Sequence, residues 1–156
     1  MTKTNAMRLL DKANIIYEAK QYEFDENDLD GRHAADFLGL DYMQVFKTLV
    51  TRGASGALYV FCVPVGGELD LKKAAKVSRE KSIEMIHVKE LLSLTGYIRG
   101  GGSPIGMKKK YPTFIDETAV LFDMIAVSAG MRGLQLMLSP DDLRDYTQAM
   151  YCDITA

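Results

Sequence analysis

A chain of 156 residues has the length of one domain and can bury a sizeable core, and 47% hydrophobic with 26% charged residues excludes extensive disorder. A net charge of −2 excludes a protein that coats nucleic acid through its overall field, so any RNA contact has to be local. No apolar run reaches membrane-spanning length, and Asp11 and Lys12 stand where a secretion signal needs its apolar core, so the expectation is a single cytoplasmic domain over residues 1–156, away from any membrane.

Thr4 or Asn5 can cap a short amphipathic helix carrying Met7, Leu9, Leu10 and Ala13. Ile15 to Phe24 reads as extended, with Tyr22 at the end of the strand. The acidic stretch Asp25 to Gly31 is turn-like, a helical stripe runs from Ala34 to Leu40, and a second short helix is expected from Asp41. Val45 to Val50 is a strand in which Lys47 shares its face with Val45 and Leu49. Its ammonium therefore either reaches an edge, where it would discourage aggregation, or points into a pocket. After the turn Gly53 to Gly56, the run Ala57 to Pro64 is apolar enough for a central strand, with Cys62 as a small core residue.

Asp70 caps a predicted helix over Leu71 to Val77, Ser82 to Ile86 reads as a short strand, and Lys89 to Leu94 makes a helix that stops at Gly96. His87, in the connection, reads as structural. Strands are predicted from Pro112 to Ile115, from Ala119 to Val127 and, after the glycine-punctuated turn Ser128 to Gly133, from Leu134 to Leu138. Pro140 then opens a last helix to about Tyr146. The pattern is α+β without strict βαβ alternation or internal repeats.

The chemistry-bearing stretch is Thr95 to Gly106, which holds five of the thirteen glycines in twelve residues. A phosphate-binding P-loop from Gly101 runs to Gly106 and then meets Met107 where lysine is required. A nucleophile elbow fails because Ile105 replaces the second glycine and Pro104 removes the N–H that completes an oxyanion hole, so Ser103 is a poor acyl-enzyme serine. A dinucleotide fingerprint from Gly100 would need glycine at Ile105. What survives is a turn that offers backbone amides to a carbonyl, a carboxylate or a phosphate.

Cys62, Cys152, His33 and His87 form no metal spacing, so neither a metal nor another cofactor is expected. Lys72, Lys73 and Lys76 and, directly beside the glycine stretch, Lys108 to Lys110 are the local cationic candidates for RNA.

The run GYIRGGGSPIGMKKKYPTFID, with FKTLV and GELDLKKAAK upstream and VSAGMRGL downstream, resembles the YbaK family of freestanding aminoacyl-tRNA deacylases, which are similar to the editing domain of bacterial prolyl-tRNA synthetases. The resemblance spans nearly the whole chain in the same order. It implies a mixed, barrel-like β-sheet flanked by short helices, and a trans-editing hydrolase that removes mischarged cysteine from tRNA(Pro). Alanine as the substrate, or a non-catalytic module for the tRNA end or a nucleotide, are the alternatives. The implied partners are the 3′ end of an aminoacyl-tRNA and prolyl-tRNA synthetase.

By the same resemblance Lys47 matches a pocket lysine, Gly100 a glycine whose backbone faces the ester, and Ser128 a serine that orients water or a ribose hydroxyl. These three carry the implied catalysis. Tyr22, Gly101, Gly102, Ser103 and Gly130 are the implied substrate-binding positions. Gln135 departs from the pattern, standing where relatives carry an aspartate. Because the ester is already labile, such a site needs positioning more than a strong nucleophile.

Overall fold

The computed structural model describes residues 2–156. Strands β1 (Tyr17–Gln21), β6 (Ile125–Ser128) and β7 (Leu134–Leu138) form an antiparallel sheet in the order β1-β7-β6. Strands β2 (Phe46–Gly53), β3 (Leu58–Pro64), β4 (Ile83–Met85), β5 (Thr113–Asp116) and β8 (Met150–Cys152) form a second sheet in the order β4-β2-β3-β5-β8. The second sheet is mixed: β2 runs antiparallel to β3 and β4, while β3-β5 and β5-β8 are parallel. Helices α1 (Asn5–Lys12), α2 (Gly31–Leu38), α3 (Leu71–Ser78), α4 (Val88–Thr95) and α5 (Pro140–Thr147) pack around them. None of these is long and apolar enough to cross a membrane.

One cluster joins the two sheets. Phe46, Val50, Val60, Cys62 and Ile115 from the larger sheet meet Ile125, Val127, Leu134, Leu136 and Leu138 from the smaller one, with Ala6, Met7 and Leu10 of α1 across one end. Two sheets that turn their apolar faces to a shared core give the barrel-like arrangement, here a wrap that stays open. The outer faces are covered separately. Phe61, Val63 and Phe114 pack under α3 through Ala74 and Ala75, and Val45, Ala126 and Met137 pack under α2 through Ala35. With apolar layers on both faces, β3 has no polar side to show, which is why it reads as a continuous apolar run.

Side-chain caps set the helix starts. Thr4, Asp30, Asp70 and Ser139 each accept a hydrogen bond from a backbone N–H of the first turn, and left-handed glycines at Gly39 and Gly96 end α2 and α4.

Two expectations give way to local chemistry. The strand predicted over Ala119 to Val127 begins only at Ile125, because Asp116 accepts hydrogen bonds from the Thr118 N–H and hydroxyl and winds Glu117–Leu121 into a 3-10 helix. The buried Asp116 also accepts from the Ile154 N–H, which holds this turn against the C-terminal segment. No helix starts at Asp41. Its carboxylate caps the Met43 N–H in a turn, and the chain is extended again by Val45, whose carbonyl accepts from Val65. Strand β8 goes unpredicted because three residues are too few for a period.

Candidate functional site

The site begins as a defect in strand pairing. On one side β2 is paired along its whole length by β3. On the other side β6 touches it through a single bridge, Val45 to Ala126, and β4 pairs only from Thr51 onward. Between those contacts residues 47–49 have no strand neighbour, and the space beside them is a cavity of about 450 Å³. That is an ordinary size for a small-molecule site. Helix α4 covers one flank with Val88, Leu91 and Thr95, and the glycine stretch covers the top with Arg99, Gly100 and Gly102. Leu29 and Asp30, between β1 and α2, close the front.

Lys47 lines this cavity with its side chain 28% exposed, and its Nζ lies 3.7 Å from Glu68 Oε2. The pocket alternative, and not the free edge, is where the lysine sits. Asp30 lies in the same lining, and its carboxyl is held below the usual carboxylate range by hydrogen bonds from Arg32, with a smaller contribution from the Lys47 charge. The cavity thus carries the Lys47 side chain and, on Asp30, a carboxylate that stays ionised at neutral pH.

The glycine stretch is held in shape from two sides. The Tyr97 hydroxyl donates to the Ile105 carbonyl, closing the stretch on itself, and the Tyr97 ring packs 3.0 Å from where a side chain at Gly130 would begin. Arg132 Nε donates to the Arg99 carbonyl at 2.8 Å, tying the same stretch to the β6-β7 turn. Gly100 has φ of +83° beneath Leu29, a conformation and a clearance that both favour glycine. The Gly101 N–H is spent on the Ile98 carbonyl, whereas the N–H groups of Gly100 and Gly102 have no acceptor among the described residues. They are the free amides that the glycine spacing suggests.

Ser128 ends β6 in the lining, and its Oγ accepts from the Gly130 N–H at 3.1 Å, which leaves the hydroxyl proton free to donate. Tyr22, one residue beyond β1, also lines the cavity and makes tilted contacts with His33 and Phe37. Tyr22, Lys47, Gly100, Gly102 and Ser128 are therefore brought together. Gly101, Ser103 and Gly130 lie outside the lining. Ser103 is fully buried with its Oγ accepting from the Ile105 N–H, Gly101 backs onto Met131, and Gly130 supports the Tyr97 ring.

Leu29, Asp30 and Leu91 join the lining unannounced by the sequence. Asp30 falls in the stretch read as an acidic turn, a reading that does not reveal a cavity. Neither thiol suits nucleophilic work, since burial pushes Cys62 up to about 12 and Cys152 up to about 11. Of the basic groups, Lys73 is engaged by Asp153 and the Thr155 carbonyl, while Lys108 and Lys109 stay exposed beside the glycine stretch.

Comparison with known proteins gives the chain's relatives. A protein of Enterococcus faecalis named "Putative Cys-tRNA(Pro)/Cys-tRNA(Cys) deacylase EbsC" is 44% identical over 153 residues, covering 98% of this chain and 93% of that protein. A crystal structure described as "a putative trans-editing enzyme for prolyl tRNA synthetase" matches with a TM-score of 0.82 at 23% identity, covering 99% of both chains. The hypothetical protein APE2540 matches with a TM-score of 0.86 at 19% identity over 96% of this chain and 97% of its own. At such identities the two structures speak to the fold alone. Residues 30–146 match the family described as the aminoacyl-tRNA editing domain, and together with the Enterococcus relative this establishes that the chain belongs to that family.

Proposed function

We propose that this protein is a trans-acting deacylase that hydrolyses the ester between a mischarged amino acid and the 3′ end of a tRNA, with cysteine on tRNA(Pro) as its principal substrate. The observation that carries the reading is the gap beside residues 47–49 of β2, where a half-buried lysine and two free backbone amides share one cavity in a chain 44% identical to a relative named for that substrate.

In this reading Lys47 anchors a phosphate or ribose oxygen of the terminal nucleotide, and Tyr22 stacks on the adenine or closes over the aminoacyl group. The Gly100 and Gly102 amides face the ester carbonyl and stabilise the charge that develops on its oxygen. Ser128 donates its hydroxyl proton to a ribose oxygen or the attacking water. Lys108 and Lys109 meet phosphates of the acceptor end. The enzyme works in the cytoplasm beside prolyl-tRNA synthetase, clearing what that enzyme mischarges.

A deacylation time course with purified protein on cysteinyl-tRNA(Pro), correctly charged prolyl-tRNA(Pro) and alanyl-tRNA(Pro) tests this. Loss of cysteine well ahead of proline is the expected result. Binding of all three without turnover would move the chain to a tRNA-end-binding module, and a preference for alanine would move it to a different substrate.

A further inference from the structure

The segment 100–107 walls two hollows. Gly100 and Gly102 line the cavity already described, Pro104 and Gly106 line a second one of about 300 Å³, and Met107 lines both. The other walls of the second cavity are Leu9 of α1, Lys109 and Lys110 just after the glycine stretch, and Tyr146 and Thr147 at the end of α5. Its volume stands at the lower end of the range for small-molecule sites.

The polar side chains of this lining divide into those the fold uses and those it leaves over. The Tyr111 hydroxyl donates to the Leu94 carbonyl at 2.8 Å, the Thr113 hydroxyl to the Tyr111 carbonyl at 3.0 Å and the Thr147 hydroxyl to the Leu143 carbonyl at 2.7 Å. Lys110 donates to the Gln148 carboxamide, a neutral partner that leaves its charge without a carboxylate. Left over are the exposed Lys109 ammonium, without a partner among the described residues, and the hydroxyl of Tyr146, whose side chain is half-buried against the main core. No carboxylate stands in this lining, whereas Asp30 stands in the first. Two cations beside an aromatic ring, with no acid among them, select a ligand that carries both a phosphate and a base.

We propose that the second cavity is a nucleobase site for the unpaired 3′ end of the tRNA, in which the base of the cytidine preceding the terminal adenosine stacks on Tyr146 while its phosphates meet Lys109 and Lys110; this rests on the deacylase reading. The shared wall selects that occupant. With the terminal nucleotide in the first cavity, the next unit of the same strand has to pass residues 100–107, and the hollow beside it is the one that Met107 also lines. The Tyr146 hydroxyl is then free for a ribose or phosphate oxygen. Such a site takes only a single strand, because a base held in a duplex cannot turn into a pocket.

The test measures, by calorimetry on the full chain, three probes that cannot be hydrolysed: 3′-alanylamino-3′-deoxyadenosine, the same compound extended by a 5′-phosphorylated cytidine, and that dinucleotide with the cytosine removed. The expected result is that the dinucleotide binds about tenfold tighter than the adenosine and that the abasic form loses most of the gain. Tyr146→Leu loses the same gain with its affinity for the adenosine unchanged, and Tyr146→Phe keeps it. Lys109→Ala lowers the salt slope of dinucleotide binding by about 0.7. Equal affinity for adenosine and dinucleotide would overturn the assignment, as would a gain that the abasic form retains in full. A Tyr146→Leu loss that falls equally on both probes would make the residue structural and overturn it too, and so would failure of all three probes to bind. Turnover of cysteinyl-tRNA(Pro) by the unaltered protein is measured alongside. A base-dependent gain without turnover would keep the nucleobase site and remove the deacylase reading, whereas turnover without the gain would keep that reading and overturn the site.

Discussion

Lys47 Nζ and Glu68 Oε2 stand 3.7 Å apart with unequal surroundings, the lysine side chain 28% exposed and the glutamate 84%. An ion pair whose carboxylate is in water contributes little, about 0–1 kcal/mol. Lys47 is therefore held by the walls of the cavity, and Glu68 is a partner that an incoming phosphate can displace. Lys47→Ala is expected to lower deacylation by about a hundredfold or more, as loss of a charge-stabilising group does. Its stability should change by no more than about 0.5 kcal/mol. Glu68→Gln should keep most of the activity. Thermal unfolding and deacylation measured on both variants check this, and an active Lys47→Ala protein would remove the lysine from the site.

The glycines of the loop separate into those the fold needs and those the cavity needs. A side chain at Gly102 would meet no atom within 4 Å, so Gly102→Val should fold normally and lose activity by filling the cavity. Gly100 combines φ of +83° with Leu29 atoms 3.1 to 3.4 Å from any added Cβ, so Gly100→Val should lose activity and also stability, by about 1–3 kcal/mol. Ser103→Ala should keep substantial activity, because its Oγ is spent on the Ile105 N–H, at a stability cost of about 1 kcal/mol. A covalent aminoacyl adduct on Ser103, sought by mass spectrometry, would reverse that expectation.

Arg52 on β2 grips Glu90 at the start of α4 with two hydrogen bonds, at 3.0 and 3.4 Å, and Glu90 also accepts from the His87 N–H at 3.1 Å. Arg52 first and the His87 amide second hold the Glu90 carboxyl below its ordinary range. A depressed carboxyl contributes stability at pH above its unfolded value of about 4.3, and that contribution is lost as pH falls through the lower folded value. The unfolding temperature should therefore be level from pH 8 to about 5 and fall below about 4. Glu90→Gln should show a shallower acid fall, with Glu80, Asp30 and Asp11, all depressed as well, contributing to the remainder. An identical acid slope in the variant would separate Glu90 from acid stability.

What the sequence made legible was whatever has a local cause. Thr4 and Asp70 cap helices in the structure as their positions suggest, and β2, β3 and β7 lie where their apolar runs are. Glycine spacing located the loop but could not tell Gly102, open to the cavity, from Gly101, packed on Met131, because that difference comes from the β6-β7 turn across the chain. The pocket itself was illegible. It exists because two strands stop short on one edge of β2, a property of pairing between segments far apart in sequence. Periodicity placed Lys47 on a face with Val45 and Leu49 but left its edge or pocket destination open for the same reason.

The last expectation is that cysteine is cleared from tRNA faster than serine, by about tenfold or more, although the two differ by one atom. The protein's own thiols sit at about 12 and 11 and stay protonated at neutral pH, and Ser103 is buried against its own loop. A site without a nucleophile gains most from a substrate that brings one. A cysteinyl thiolate can attack its own ester carbonyl, forming the S–C bond and breaking the C–O bond, while the thiol proton ends on the departing ribose oxygen. Serine's hydroxyl ionises far less readily than a thiol, which is partly ionised near neutral pH, so seryl-tRNA has to wait for water. Measuring cysteinyl-, seryl- and alanyl-tRNA on one tRNA body separates the routes. Cysteine well ahead of the other two is the expected order, and equal rates for cysteine and serine would assign the attack to water.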